Sequence, residues 1–213
     1  MIVSSRFMRQ EEIEARALAT LKGYEERFGQ IQAPPVPIES LVEKYLDLWI
    51  EWGAIEDDAR EPILARIYPS GRIFMNENRR EHFEEYWGSE QFTLAHEVGH
   101  WDLHVHHGAV HQLTLPEMDP APVFICRWNK RDRIEWQANR YASFLLMPDN
   151  LVRKVVSGLD LTRWPVLYDV RDCFGVSITA LKIRLEEMGL IHIDEAGSIY
   201  RSEQEYAGQR VLL

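Results

Sequence analysis

The chain is poor in the features that would set it apart from ordinary globular proteins. It has only 2 cysteines in 213 residues, Cys126 and Cys173, far apart and in no C-x-x-C, which argues against a disulfide framework and a cysteine-built zinc site. No apolar run approaches the roughly 18 residues that a membrane-spanning helix needs, and the start, MIVSSRFMRQEEIEAR, shows no apolar signal core. A soluble, cytoplasmic protein with no membrane partner is the expectation. Positive charge is also in short supply. With 24 Lys and Arg against 34 Asp and Glu, a net charge of -10 and a pI near 5.3, the overall field repels phosphate, so strong DNA binding is not expected. The one local basic run is WNKRDR, 128–133, which reads as a solvated loop. There is no internal repeat and no low-complexity tract.

What is present begins with enough apolar residues for one large domain, at 46% hydrophobic and 27% charged. Within it, QFTLAHEVGHWDLH, 91–104, carries the pattern H-E-x-x-H at His96, Glu97 and His100. Two imidazoles four residues apart stand one turn above each other on a helix, so both reach a single zinc ion, and Glu97 flanks them as a base. At the helical period His96, Glu97, His100 and His104 share one arc, and Leu94, Ala95, Val98 and Trp101 share most of the other. Asp102 falls on the apolar arc and therefore needs a hydrogen-bond partner that the sequence does not name. A chain of this composition would show the pattern by chance roughly 0.03 times, which makes a second element necessary to decide.

That element is RIEWQANRYASFLLMP, 133–148, where helical period returns. Glu135, Asn139, Ala142 and Leu146 fall on one face, with Ala138 beside them, and the small alanines allow another helix to come close. A carboxylate from this face would complete a His2Glu zinc site at His96, His100 and Glu135 and leave the fourth position open for water. Asn139, one turn on, is placed to hold His100 or Glu135 from behind. A rival third ligand is His106, six residues after His100, but the pattern that uses this spacing needs a glycine at position 103, which is Leu103. The loop VHHGAVHQLTLPEMDPAP reads as mostly solvated.

Around these two helices the pattern reads α+β, with a small sheet packed on the zinc-binding helix pair. Residues 9–28 show amphipathic helical period, QAPPVP is an extended joint, IESLVEKYLDL a short helix, and 48–52 a strand. Runs at 63–68 and 72–76 flank Pro69, Ser70 and Gly71 and read as a hairpin, and a strand beside the zinc helix offers an edge that could take up a peptide by strand addition. VFICR reads as a further strand, and NLVRKVVSG as a helix. LTRWPVLYDVRDCFGVSITALKIRLEEMGLI then reads as helix, tight turn at Phe174 and Gly175, Ser177 N-cap and second helix, a helix-turn-helix outline, and IHIDEAGSIY as a possible hairpin wing. The second helix sets Lys182 and Arg184 against Glu186 and Glu187, no excess of positive charge for reading a groove. The expected organisation is an N-terminal helix over 1–34, a core over 35–148, the helix-turn-helix-like segment over 149–193 and a hairpin and tail over 194–213.

TLAHEVGHWDLH followed by EWQANRYASFLLMP resembles the ImmA/IrrE family of zinc metallopeptidases, and the likeness runs from Pro35 to Ile191 through PPVPIESLV, GRIFMNEN and FGVSITALKIRLEEMGLI. Gln137, where many members carry Glu, and Tyr141, where Phe is usual, are departures. The resemblance implies zinc on His96, His100 and Glu135, Glu97 as catalytic base, Asn139 in support, and helix-turn-helix repressors as the protein substrate. His104, His111, Tyr141 and Tyr168 are all candidates for the group that holds the developing oxyanion. The competing reading is a non-catalytic module that binds a repressor or DNA through the C-terminal segment. An intact Glu97 speaks against it, since a purely structural zinc has no use for a base.

Overall fold

The computed structural model describes residues 7–57, 62–86, 88–105, 121–127 and 133–210. The expectations placed on His106, His111, most of the loop after His104 and the basic run at 128–132 lie outside them.

Helix α1 (Gln10–Phe28) buries Ile13, Ala17, Thr20, Leu21 and Tyr24, one stripe at helical spacing, and starts where Glu12 accepts the Arg9 backbone N–H at 2.9 Å. A short turn follows, α2 (Ile38–Ser40), which widens into a π turn over Leu41–Tyr45. The sheet is built from β1 (Trp49–Gly53), β2 (Ile63–Ile67), β3 (Arg72–Asn76) and β4 (Phe124–Arg127), in the order β1-β3-β2-β4. β2 and β3 form the expected antiparallel hairpin, closed by the Gly71 N–H on the Tyr68 carbonyl at 3.0 Å. β1 runs parallel to β3, with Trp49 opposite Arg72 and Gly53 opposite Asn76. β4 lies antiparallel to β2, so the sheet is mixed.

Both strands of the hairpin are paired on both sides, so the edges of this sheet among the described residues are β1 and β4, and the edge strand beside α4 is β4. Asn76 locks the end of the sheet: buried, it accepts the N–H groups of Ile55 and Asn78 and donates to the Ile63 carbonyl at 2.7 Å.

After a short helix α3 (Arg80–Glu85), the long helix α4 (Ser89–His104) lies on the sheet face through β2 and β4, and α5 (Arg133–Leu146) packs across α4 and against α1. Gly99 makes the α4–α5 approach close. A Cβ there would stand 3.1 Å from the Cα and carbonyl oxygen of Ala138, so only hydrogen fits without a shift. The sequence placed the alanines of α5 at such a contact but not their partner, Gly99.

Beyond α5 come α6 (Asp149–Val156), α7 (Trp164–Phe174) and α8 (Ile178–Glu187), then a two-stranded hairpin of β5 (His192–Ile193) and β6 (Ile199–Tyr200). The turn between α7 and α8 has the expected chemistry. Gly175 sits at φ 61°, which favours glycine, and the Ser177 hydroxyl accepts the Ala180 N–H at 3.1 Å. The tail, for which no helix is expected from the sequence, carries one more, α9 (Glu203–Arg210). No helix among the described residues is long and apolar enough to cross a membrane.

Candidate metal centre

The centre sits where α4 and α5 face each other. In α4 every residue from Thr93 to His100 is buried, polar and apolar alike. The sheet covers one side and α5 the other, so the arc expected to carry the chemistry is enclosed as fully as the arc that packs. His96 and His100 bring their Nε2 atoms within 2.9 Å of each other, and Glu135 Oε2 stands 3.0 Å from the first and 3.5 Å from the second. Ligand atoms about 2.0–2.2 Å from a tetrahedral zinc lie about 3.3 Å apart, so these separations fit the ion.

The outer ring nitrogens support the same geometry. His96 Nδ1 lies 2.9 Å from Asn139 Oδ1, and as the acceptor is a carbonyl oxygen, Nδ1 carries the proton and Nε2 keeps its lone pair. Asn139 therefore reaches His96, not the expected His100 or Glu135, because the helices cross with His96 nearer to the second turn of α5. His100 Nδ1 lies 3.2 Å from His104 Nδ1. For His100 to present a lone pair at Nε2, its Nδ1 must donate to His104. The Phe124 ring of β4 stacks on the other face of His100, with centroids 4.3 Å apart and planes at 8°.

Burial sets the charge states. It pushes the Glu97 carboxyl well above the usual carboxylate range, with the Glu135 charge adding to the effect. Burial lowers His100 to about 3, although Glu135 pulls the other way. For Glu135, burial acts to raise the pKa, but the His100 and His96 rings that face it outweigh this and hold the carboxyl far below the usual range. Both oxygens of Glu97 are buried with no hydrogen-bond partner. An orphaned carboxylate beside three converging donor atoms is costly unless a cation and its water are to occupy the space, and on this observation the donor set fits a zinc ion.

Three further side chains stand at the site without having been singled out by the sequence. Cys126 presents its sulfur within 4.8 Å of ligand atoms of His96 and Glu97. The alternation of β4 sends Phe124 and Cys126 to one face, but nothing local says that this face meets α4. His82 of α3 lines the same cleft, its Nε2 3.1 Å from the Ser89 hydroxyl oxygen. The cleft, about 410 Å³, opens on His96, Glu135 and Asn139.

The candidates for the oxyanion separate. His104 stands behind His100, on its Nδ1 side. The Tyr141 hydroxyl is buried 2.7 Å from Thr20 Oγ1 of α1. Tyr168 lies exposed on α7 beside Trp164. None of the three lines the cleft. Asp102 finds the partner that the helical arc demanded: Arg16 of α1 donates to its carboxylate at 2.5 and 3.1 Å and to its backbone carbonyl at 2.8 Å.

A family model described as Peptidase_M78, the IrrE N-terminal-like domain, matches residues 61–186. No curated protein matches the chain. Among solved structures, a Mycobacterium tuberculosis transcriptional regulator is similar at 17% identity and a TM-score of 0.48, over 90% of this chain and 59% of that one. The chain thus spans 59% of the length of that protein's chain.

Proposed function

Because the chain belongs to the Peptidase_M78 family and carries its metallopeptidase domain, we propose that it is a zinc-dependent endopeptidase whose protein substrate is a helix-turn-helix repressor. The observation that carries the enzymatic part is the convergence of His96, His100 and Glu135 with the unpartnered carboxylate of Glu97 alongside. Zinc on the three ligands would supply a Lewis acid for the peptide carbonyl and a water acidified towards a pKa of about 7.

The protein's own groups do the rest. Glu97 takes the proton of the attacking water on its carboxylate, and the burial that raises its pKa lets it hold that proton. With a cation held by His96, His100 and Glu135, the Glu97 pKa would be drawn back, so that the group would act first as base and then as acid. It then delivers the proton to the leaving amine. Asn139 fixes the His96 ring and His104 the His100 ring, so both lone pairs point inward.

The repressor as substrate rests on the likeness of the two motifs, and two features of α8 support a role there other than DNA reading. Arg184 is buried, its Nε donating to the Met147 carbonyl at 3.0 Å, and Lys182 lies over the Trp164 ring. Neither of the helix's two cations reaches out as a groove-reading side chain does.

The deciding experiment is Glu97→Gln, which keeps size and metal ligands but removes the base. Zinc content should persist, while cleavage of a helix-turn-helix repressor encoded beside the gene should fall by at least roughly 100-fold, read by the mass of the fragments. Release of the repressor from its operator equally by both proteins, with no fragment, would make the activity sequestration and sink the peptidase reading.

A further inference from the structure

The cleft at the metal centre does not end there. A second cleft, about 350 Å³, continues from it between α5 and α8, and the two share Phe92, Asn139, Ser177 and Thr179. Its walls are the apolar faces of Phe92, Trp136, Ala180 and Ile183, and its floor includes Ser143. Two details mark it as a place built for a ligand. Ile183 is 43% exposed where it lines the cleft, whereas Leu181 and Leu185 of α8 are buried and Ile178 is half-buried. Ser143 is 8% exposed, and its hydroxyl has no hydrogen-bond partner. A buried hydroxyl left unpaired beside an apolar trough matches a peptide, which brings a side chain for the trough and a backbone group for the hydroxyl.

From this continuity we infer that the cleft between α5 and α8 takes a bulky apolar residue of the peptide substrate, next to the scissile bond held at the metal, and that α8 is a substrate-binding helix. The inference rests on the peptidase reading and deepens it. Asn139 lies one turn from Glu135 on α5 and lines both clefts, so a chain lying across it has one end at the metal and the other against Ile183. An apolar residue buried there should add roughly tenfold or more to affinity.

The test uses the zinc-loaded full chain, acetohydroxamate, and tripeptide hydroxamates that carry Phe or Ser at the second or third residue, with binding measured by calorimetry. A Phe peptide should bind at least about tenfold more tightly than its Ser counterpart. Ile183→Asp, at a half-exposed site, and Ala180→Phe, which fills the trough, should each abolish this preference and leave acetohydroxamate binding unchanged. Acetohydroxamate binding without any Phe preference, or a preference that survives Ile183→Asp, overturns the cleft alone. Failure of acetohydroxamate to bind overturns the metal reading and the cleft with it. Phe7 stacks on Trp136 at 6.0 Å, so a preference that emerges only in Phe7→Ala would assign the cleft to the chain's own start and also overturn the inference.

Discussion

Two helix pairs in this molecule have similar outlines and different interiors. α4 and α5 bury polar and charged groups, among them His96, Glu97, His100, His104, Glu135 and Gln137, beside apolar ones such as Leu94, Val98, Tyr141, Phe144 and Leu145. α7 and α8 bury Leu167, Val170, Phe174, Leu181 and Leu185, and the single charged exception, Arg184, is tied to the Met147 backbone carbonyl outside the pair. Apolar burial stabilises at about 25 cal/mol per Å², whereas buried polar groups cost free energy unless paired. The first pair therefore sets the cost of its polar groups against its own apolar burial, the close Gly99–Ala138 contact, and α1 and the sheet around it, whereas the second carries little such cost. Function is concentrated where polar groups are buried.

The widest break between the pairs should come from exchanging what each one loses. Glu135→Ala should reduce bound zinc from about one per chain to near none, as elemental analysis would show, while His106→Ala leaves it unchanged. Retained zinc in Glu135→Ala would move the third ligand elsewhere. Phe174→Ala, fully buried, should cost about 3–5 kcal/mol in denaturant unfolding and yet leave zinc stoichiometry intact in the folded fraction. A loss below about 1 kcal/mol would mean that the second pair is not the apolar anchor described here.

A subtler contrast lies in pH. In metal-free protein His100 stays neutral down to about 3 when folded but takes a proton at its ordinary value of 6.5 when unfolded. Its contribution is thus present above 6.5 and lost as pH falls towards 3. Glu97 has the opposite sign: its folded pKa is raised above 4.5, so its contribution is present below 4.5 and lost as pH rises through the folded value. Chemical denaturation of chelated protein should therefore show both losses, and Glu97→Gln should remove only the one that sets in as pH rises above 4.5. If that loss is unchanged, it belongs to another group. The smallest effect is expected at the turn of the second pair, where Ser177→Ala removes the hydroxyl that caps α8 and should cost about 1 kcal/mol with no change in metal binding.

What the sequence determined by itself is what depends on spacing along one element. The helical period places His96 and His100 one turn apart, the alanines of α5 on a contact face, and Asp102 where it requires a partner. Turn chemistry marks the β2–β3 hairpin, and the cap chemistry of Gly175 and Ser177 marks the break between α7 and α8. These are local properties, fixed by backbone geometry within a few residues. What only the tertiary structure decided is which element each of those faces meets. That Asn139 bonds His96, that Arg16 answers Asp102 across 86 positions, that β1 joins β3 in parallel, and that Phe124 and Cys126 face α4 all depend on how separate elements cross. Arg184 shows the limit most plainly. In sequence it is a cation on a helix that could face DNA, and in the fold it is buried at 4% exposure against Met147 and Glu14, because the packing of α8 turns that face inward, which no pattern along α8 alone specifies.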